Sequence, residues 1–305
     1  MNDTLRMLEI LNEGFPEIAQ MEPLEARRQV DARARPTENV NDAVSEDSEI
    51  TVHGQRIAIR IYRPVEGAKA TGPITIYAHG GGFLHGSIDS HDSFCRTWVK
   101  GTGSTVVSVE YRLAPEWGAP APALDVLGAL EWVRAEGLAT EVILAGDSSG
   151  ANAVLVAALM LAERDLGDLK GLVLLYPFLD PERSLPSHQA YAEGYFITSR
   201  AIETYWRHYL TAPGSEQAQA WQINPLRADS FRQLPPSIVV TAGRDTLQDE
   251  GRAAYERMVA EGVPAIHHHF PDQFHGFMTI PGYRPAASGQ QVLWSSFTNL
   301  FGREG

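Results

Sequence analysis

Residues 142–161 read VILAGDSSGANAVLVAALML. Val142, Ile143, Leu144 and Ala145 form a short apolar run of the kind that makes a buried strand. Gly146-Asp147-Ser148-Ser149-Gly150 follows without a linker, and from Ala151 to Leu161 small and aliphatic residues read as a helix. A strand that turns directly into a helix holds the middle residue of the turn, Ser148, at a strained φ/ψ. It also needs glycine where side chains would collide, and Gly146 and Gly150 stand at those places. The Ser148 hydroxyl is then lifted above the sheet, at the positive end of the following helix. A bare G-x-S-x-G pattern is common by chance. The strand before it and the helix after it make Ser148 the candidate nucleophile.

Outward from this unit the same rhythm recurs. Ile50 and Val52 alternate, His53-Gly54 marks a turn, and Ile57, Ile59 and Ile61 alternate again, which reads as a hairpin. Further strands are expected at 74–78, 105–109, 172–175, 237–241 and 265–270. Helices are expected near 90–101, 121–136, 249–261 and 286–301. This alternation predicts an α/β fold with a mostly parallel central sheet covered by helices on both faces. Two regions depart from it. Leu5, Leu8, Leu11 and Phe15 recur at helical spacing, and a second helix is expected from Pro23 to about 34, so residues 1–48 read as paired amino-terminal helices. Between Leu175 and Ser237 no strand is apparent, and 199–210 is helical with Tyr205, Trp206 and Tyr209. An insertion there would overhang the ligand crevice of an open α/β sheet. The expected organisation is a catalytic domain of 49–180 and 221–305, an insertion of 181–220 as a cap, and the amino-terminal helices of 1–48 as an arm packed on the main domain.

A serine hydroxyl needs a base, and the base needs an orienting acid. In this fold they follow the nucleophile in the order acid, then histidine. Of the histidines after Ser148, His188 and His208 fall in the insertion, and His267, His268 and His269 fall within a strand. His275 alone lies in a loop just past the last strand, which makes it the candidate base. Asp245 follows the preceding strand and is the candidate acid, whereas Asp249 and Glu250 suit the first turn of a helix. His79-Gly80-Gly81-Gly82 follows the 74–78 strand. It lacks the Lys and Ser/Thr of a phosphate loop and the later glycine of a dinucleotide fingerprint. An oxyanion hole fits better: the N–H groups of Gly81, Gly82 and Ser149 would hold the charge that develops on an attacked carbonyl oxygen.

Composition narrows the classes further. With 305 residues, 44% hydrophobic and 21% charged, the chain can bury a large core. A formal net charge of -13 disfavours nucleic acid and anionic membrane surfaces as partners. The 22 Arg against only three Lys reflect composition bias and carry no functional reading. Cys95 is the one cysteine, so no intramolecular disulfide forms, and it reads as a small buried apolar residue. Met1 to Leu11 has no basic start followed by an apolar run, and no stretch of about 18 apolar residues exists, so a cytoplasmic protein without membrane insertion is expected. Adjacent strand residues such as His267, His268 and His269 do not converge on one ion, and His79, His85 and His91 recur at neither helix nor strand spacing. No metal and no cofactor are expected. The expected partners are a small-molecule ester and, at most, a second copy of the chain as a homodimer.

Five motifs now stand in order: His79-Gly80-Gly81-Gly82-Phe83, Tyr111-Arg112-Leu113-Ala114-Pro115-Glu116, Gly146-Asp147-Ser148-Ser149-Gly150, Asp245-Thr246-Leu247-Gln248-Asp249-Glu250-Gly251 and His275-Gly276-Phe277. Together they resemble the bacterial hormone-sensitive-lipase-like family of α/β-hydrolase esterases, over the chain from about residue 50 to its end. The resemblance implies a serine carboxylesterase for short- to medium-chain esters, with Asp245 as the acid. It also implies a cap built from the amino-terminal helices and the insertion. One departure is Ser149, where the family usually has Ala; an added hydroxyl there is expected to bear on substrate fit. Amides, carbamates or lactones would use the same machinery, but alcohols leave more readily than amines, which favours esters. Plant gibberellin receptors resemble the family without being catalysts, but they lose the histidine that stands here as His275.

Overall fold

The computed structural model describes residues 3–34, 40–65, 72–139, 141–164 and 169–302. Residues 1–2 and 35–39 of the expected amino-terminal arm lie outside the described residues. In chain order the elements are α1 (Asp3–Gly14), α2 (Pro23–Asp31), β1 (Val44–Val52), β2 (Gln55–Arg63), β3 (Ile74–Ala78), α3 (Asp92–Thr102), β4 (Val106–Val109), α4 (Ala121–Ala135), β5 (Val142–Asp147), α5 (Ser149–Ala162) and β6 (Gly171–Leu175). Then follow α6 (Ser187–Ala190), α7 (Ser199–Thr211), α8 (Ala220–Ile223), β7 (Ser237–Arg244), α9 (Gln248–Ala260), β8 (Ala265–Phe274) and α10 (Arg284–Phe301).

The strands form one sheet in the order β1-β2-β4-β3-β5-β6-β7-β8. Among the described residues the β1–β2 and β2–β4 pairs are antiparallel and the other neighbouring pairs are parallel. Two apolar layers sandwich the sheet. On one face α4, α5 and α9 pack through residues such as Val126, Leu155 and Met258. On the other, α3 brings Trp98 against Tyr77 of β3, and α10 packs Trp294 and Phe297 onto Trp98. Each fully buried large side chain of this kind contributes about 1.5–3 kcal/mol, which holds the strand ends in register. From β3 the chain crosses to β4 on one side and returns to β5 on the other. The crevice outside the carboxyl ends of β3 and β5 is therefore the topological switch point, where open α/β sheets place ligands.

Among the elements that run longer than the sequence pattern predicts, β1, β7 and β8 extend through residues with no strand signal. β1 begins at Val44, because Ser45–Glu49, although polar, faces solvent at the sheet edge. Its carboxylates meet basic residues of β2: Asp47 pairs with Arg60, Glu49 with Arg56 and Glu46 with Arg63. Charges on an edge strand discourage pairing with foreign strands. β7 continues through Ala242-Gly243 to Arg244, and β8 continues past Pro271 to Phe274. A register shift between Ala242 and Arg244 makes this pairing possible, and the backbone of Pro271 lies against Gly243. Pro271 is tolerated because β8 is the outermost strand, where a missing N–H breaks no ladder. As a result Asp245 directly follows β7, where the pattern had left three residues between them.

Candidate active site

Ser148 sits between β5 and α5 with φ 53° and ψ -119°, outside the favoured regions for a residue bearing a side chain. The turn is fixed on both sides. The Ser148 N–H donates to Leu175 O at 2.9 Å, and Ser148 O accepts from the Phe178 N–H at 3.1 Å. A Cβ on Gly150 would stand 2.1 Å from Ala78 O, and one on Gly146 would stand 2.5 Å from the Gly150 carbonyl carbon. The two glycines thus let β5 and α5 close on β3 tightly enough to expose the hydroxyl.

The sheet brings the other two candidates to it. His275 Nε2 lies 2.9 Å from Ser148 Oγ, and His275 Nδ1 lies 2.9 Å from Asp245 Oδ2. The second carboxylate oxygen, Oδ1, accepts the Leu247 N–H at 2.8 Å. All three residues are buried, Asp245 completely. Burial alone would push the His275 imidazole toward its neutral form. The charge and hydrogen bond of Asp245 outweigh it, with Asp147 and Glu250 adding to the field, so the ring titrates above the ordinary histidine value.

The loop after β3 curls over Ser148. Among the described residues, the N–H groups of Gly81, Gly82 and Ser149 donate to no backbone or side-chain acceptor. Gly81 and Gly82 also line the chamber that contains Ser148. The Gly80 N–H, by contrast, is tied to Asp147 Oδ1 at 2.8 Å. Asp147 was not singled out by sequence reasoning. It accepts from Tyr77 Oη at 2.6 Å and lies 3.3 Å from His91 Nε2. Burial opposes its ionisation, but His91, Tyr77 and His79 favour it, and the carboxyl is held below its ordinary range. The signal available for Asp147 was an acid placed between an apolar strand and a buried helix, where an unpaired charge would be costly.

Glu250 is another residue whose role exceeded the reading of a helix start. It is fully buried and accepts the N–H groups of Leu179 and Asp180, the latter at 2.8 Å. It thereby pins the chain where it leaves the sheet after β6. Ser149 also differs from expectation. Its hydroxyl is buried against Tyr111 Oη at 3.4 Å and does not line the chamber, so it bears on packing behind the turn and not on the substrate surface.

The chamber at Ser148 has a volume near 190 Å³. Leu11, Phe15 and Val30 line it from the amino-terminal helices, and Phe196, Ile197, Ile202 and Tyr205 from the excursion between β6 and β7. Asn12 joins these two regions: its amide donates to Gly194 O and accepts the Phe196 N–H, each at 3.0 Å. Of the remaining candidates, His85 and His91 line this chamber, whereas His267, His268, His269 and Cys95 do not. His267 and His269 both reach Thr241 Oγ1, while His268 points the other way to Ser296. Cys95 is fully buried, and burial pushes its thiol well up. Among the described residues no helix is long and apolar enough to cross a membrane.

A serine, histidine and aspartate in one hydrogen-bonded line, below a glycine loop with free N–H groups, is an arrangement suited to acyl transfer. Comparison with known proteins agrees with that chemistry. Residues 75–279 match the family described by the α/β-hydrolase fold. The chain belongs to that family, on its hormone-sensitive-lipase-like branch. An ethyl acetate hydrolase of Pseudomonas putida is 32% identical over 246 residues, covering 78% of this chain and 77% of that one. Esterase LipI of Mycobacterium tuberculosis is 35% identical over 240 residues, covering 76% and 74%. Among solved structures, a thermostable esterase from Pseudomonas putida superposes with a TM-score of 0.88 at 26% identity, covering 99% of this chain and 98% of the other. An ester hydrolase from the Lake Arreo metagenome, in complex with a bipyridine phosphonate derivative, superposes with a TM-score of 0.87 at 27% identity over 98% of both chains. This α/β-hydrolase is a carboxylic ester hydrolase.

Proposed function

We propose that the enzyme hydrolyses short- to medium-chain carboxylic esters through a Ser148–His275–Asp245 triad and an acyl-enzyme. The observation that carries this reading is the unbroken hydrogen-bonded line from Asp245 Oδ2 through His275 to Ser148 Oγ. His275 Nε2 takes the Ser148 proton as Oγ forms a bond to the ester carbonyl carbon. The carbonyl π electrons move onto oxygen, and the N–H groups of Gly81, Gly82 and Ser149 hold that oxyanion. When the electrons return, the bond to the alkoxy group breaks, and His275 Nε2–H protonates the leaving alcohol. Water then repeats the sequence on the acyl-enzyme, with His275 again as base, and Ser148 is restored. Asp245 stabilises the imidazolium formed at each step.

The chamber's size and lining support the chain-length reading. We assign residues 1–43 and 181–220 to a cap over a catalytic domain of 44–180 and 221–305: the chamber walls around Ser148 come from both cap segments, and the boundary expected at 48/49 moves to 43/44 because β1 of the sheet begins at Val44. A series of p-nitrophenyl esters tests the substrate class. Acetate, butyrate and hexanoate are expected to give higher kcat/KM than laurate and palmitate; a maximum at palmitate would refute it. Matched amides are expected to turn over far more slowly than the esters.

The pH dependence has a fixed sign. Catalysis needs neutral His275, and Asp245 raises the pKa of that ring. The acid limb of kcat/KM is therefore expected to have its midpoint above about 6.5, the ordinary histidine value. Activity is full on the alkaline side of the midpoint and falls as pH drops through it. A stopped pH series on p-nitrophenyl butyrate locates the midpoint, and a value below 6 would contradict the geometry.

A further inference from the structure

The glycine loop after β3 holds an unfavourable conformation. Gly82 and Phe83 both have φ of 61°, and for phenylalanine this left-handed geometry is costly. A strained segment persists only where its surroundings over-determine it. Phe83 is completely buried, and Phe83 O accepts the Ala114 N–H at 2.8 Å. Its largest neighbours, however, come from α7, which is not part of the sheet. The Tyr209 ring lies face to face with Phe83, with centroids 3.8 Å apart and planes 8° apart. Trp206 stands 5.7 Å from Phe83 and 4.3 Å from Phe178. One turn earlier in α7, Tyr205 covers Gly82 so closely that a Cβ there would sit 2.4 Å from the ring. Tyr205 Oη also meets His85 Nε2 at 2.8 Å, and the His85 N–H donates to Gly81 O at 3.1 Å. Burial pushes the His85 imidazole down to about 3, so it stays neutral in this contact at working pH.

We infer that α7 sets the geometry of the oxyanion hole, with Tyr209 as a positioning residue that acts through Phe83 on the Gly81 and Gly82 N–H groups. Tyr209 lines neither cavity beside the site, so it has no direct way to touch substrate. Tyr205 braces the same loop from the chamber side. The consequence is a coupling: the helix that walls the substrate chamber also orders the donors that stabilise the transition state. A shift of α7 away from the sheet would loosen both together. This inference rests on the assignment of Gly81 and Gly82 as oxyanion donors.

Its test separates transition-state stabilisation from substrate binding. Tyr209→Leu removes the stacked ring, Tyr209→Phe keeps it, and Phe83→Leu removes the partner on the other side. Misplacement of reacting groups by about 1 Å costs about 10²-fold in rate. Tyr209→Leu is therefore expected to lower kcat on p-nitrophenyl butyrate by about 10²-fold with KM within about threefold. Tyr209→Phe is expected to restore wild-type kcat. Phe83→Leu should reproduce the loss, and the double variant should lose no more than either single one, because both act on one contact. A second readout uses a trifluoromethyl ketone, which adds Ser148 to form an oxyanion, against the matched methyl ketone. The ratio of their inhibition constants should fall in Tyr209→Leu by the same factor as kcat. An unchanged ratio in a folded Tyr209→Leu protein, or a loss confined to KM, overturns the role of α7. If Tyr209→Leu does not fold, Phe83→Leu is read by the same two criteria. A wild-type enzyme that binds the trifluoromethyl ketone no tighter than the methyl ketone would instead refute the oxyanion assignment beneath it.

Discussion

Ser148→Ala is expected to lower kcat on p-nitrophenyl butyrate by about 10⁶-fold, with KM little changed. The size follows from the unit that is broken. Without Oγ, His275 has no proton to accept and Asp245 has no imidazolium to stabilise, so removal of Ser148 alone disables the whole line. A residual acceleration of about 10³-fold over water is expected from the oxyanion donors and binding. Ser149 cannot stand in for its neighbour, because its hydroxyl is fully buried beside Tyr111 and does not open onto the chamber. Stability should be nearly unchanged. The strained backbone at 148 is held by the Leu175 and Phe178 hydrogen bonds, which alanine retains. The measurement is steady-state kinetics together with a melting curve and fluorophosphonate labelling. Turnover within tenfold of wild type by a folded, unlabelled Ser148→Ala protein would require a different nucleophile.

The parts of this fold that could be read from sequence are those governed by short-range rules. Apolar runs separated by helical stretches predicted β3 to β7, because a strand buried on both faces has to be apolar along most of its length. Ser148, Asp245 and His275 could be named because each lies where the chain leaves the carboxyl end of a strand, and the order of those exits is fixed by topology. The parts not legible depend on long-range pairing. Ser45–Glu49 carries no strand signal of its own and becomes a strand through the arginines of β2. The last strand, expected at 265–270, runs on through Pro271, which is accommodated because β8 has no outer neighbour. Leu11, Phe15 and Phe196 are about 180 residues apart at the extremes, and only the folded chain brings them to one cavity. Asp147 sat in full view within the G-x-S-x-G pattern. Its tie to the Gly80 N–H required knowing that β3 and β5 are adjacent strands.

Asp245→Asn is expected to lower kcat by about 10⁴-fold while leaving the fold intact. The reason lies in the second hydrogen bond of the carboxylate. The Leu247 N–H donates to Oδ1, so an asparagine at 245 must place its carbonyl oxygen there. Its NH₂ group then occupies the Oδ2 position, 2.9 Å from His275 Nδ1. An amide N–H in that place is a donor, and it selects the tautomer in which Nδ1 is the acceptor and Nε2 carries the hydrogen. That Nε2–H points at Ser148 Oγ and has no lone pair with which to take its proton. The same substitution removes the charge that raises the His275 pKa, and burial then acts with less opposition. The acid limb of the residual activity should move to lower pH than in the wild-type enzyme. The two effects are measured on one sample, kcat at neutral pH and the midpoint from a pH series. A large loss of kcat with an unmoved acid limb would mean that Asp245 only holds the loop, and that the field raising His275 comes from Asp147 and Glu250.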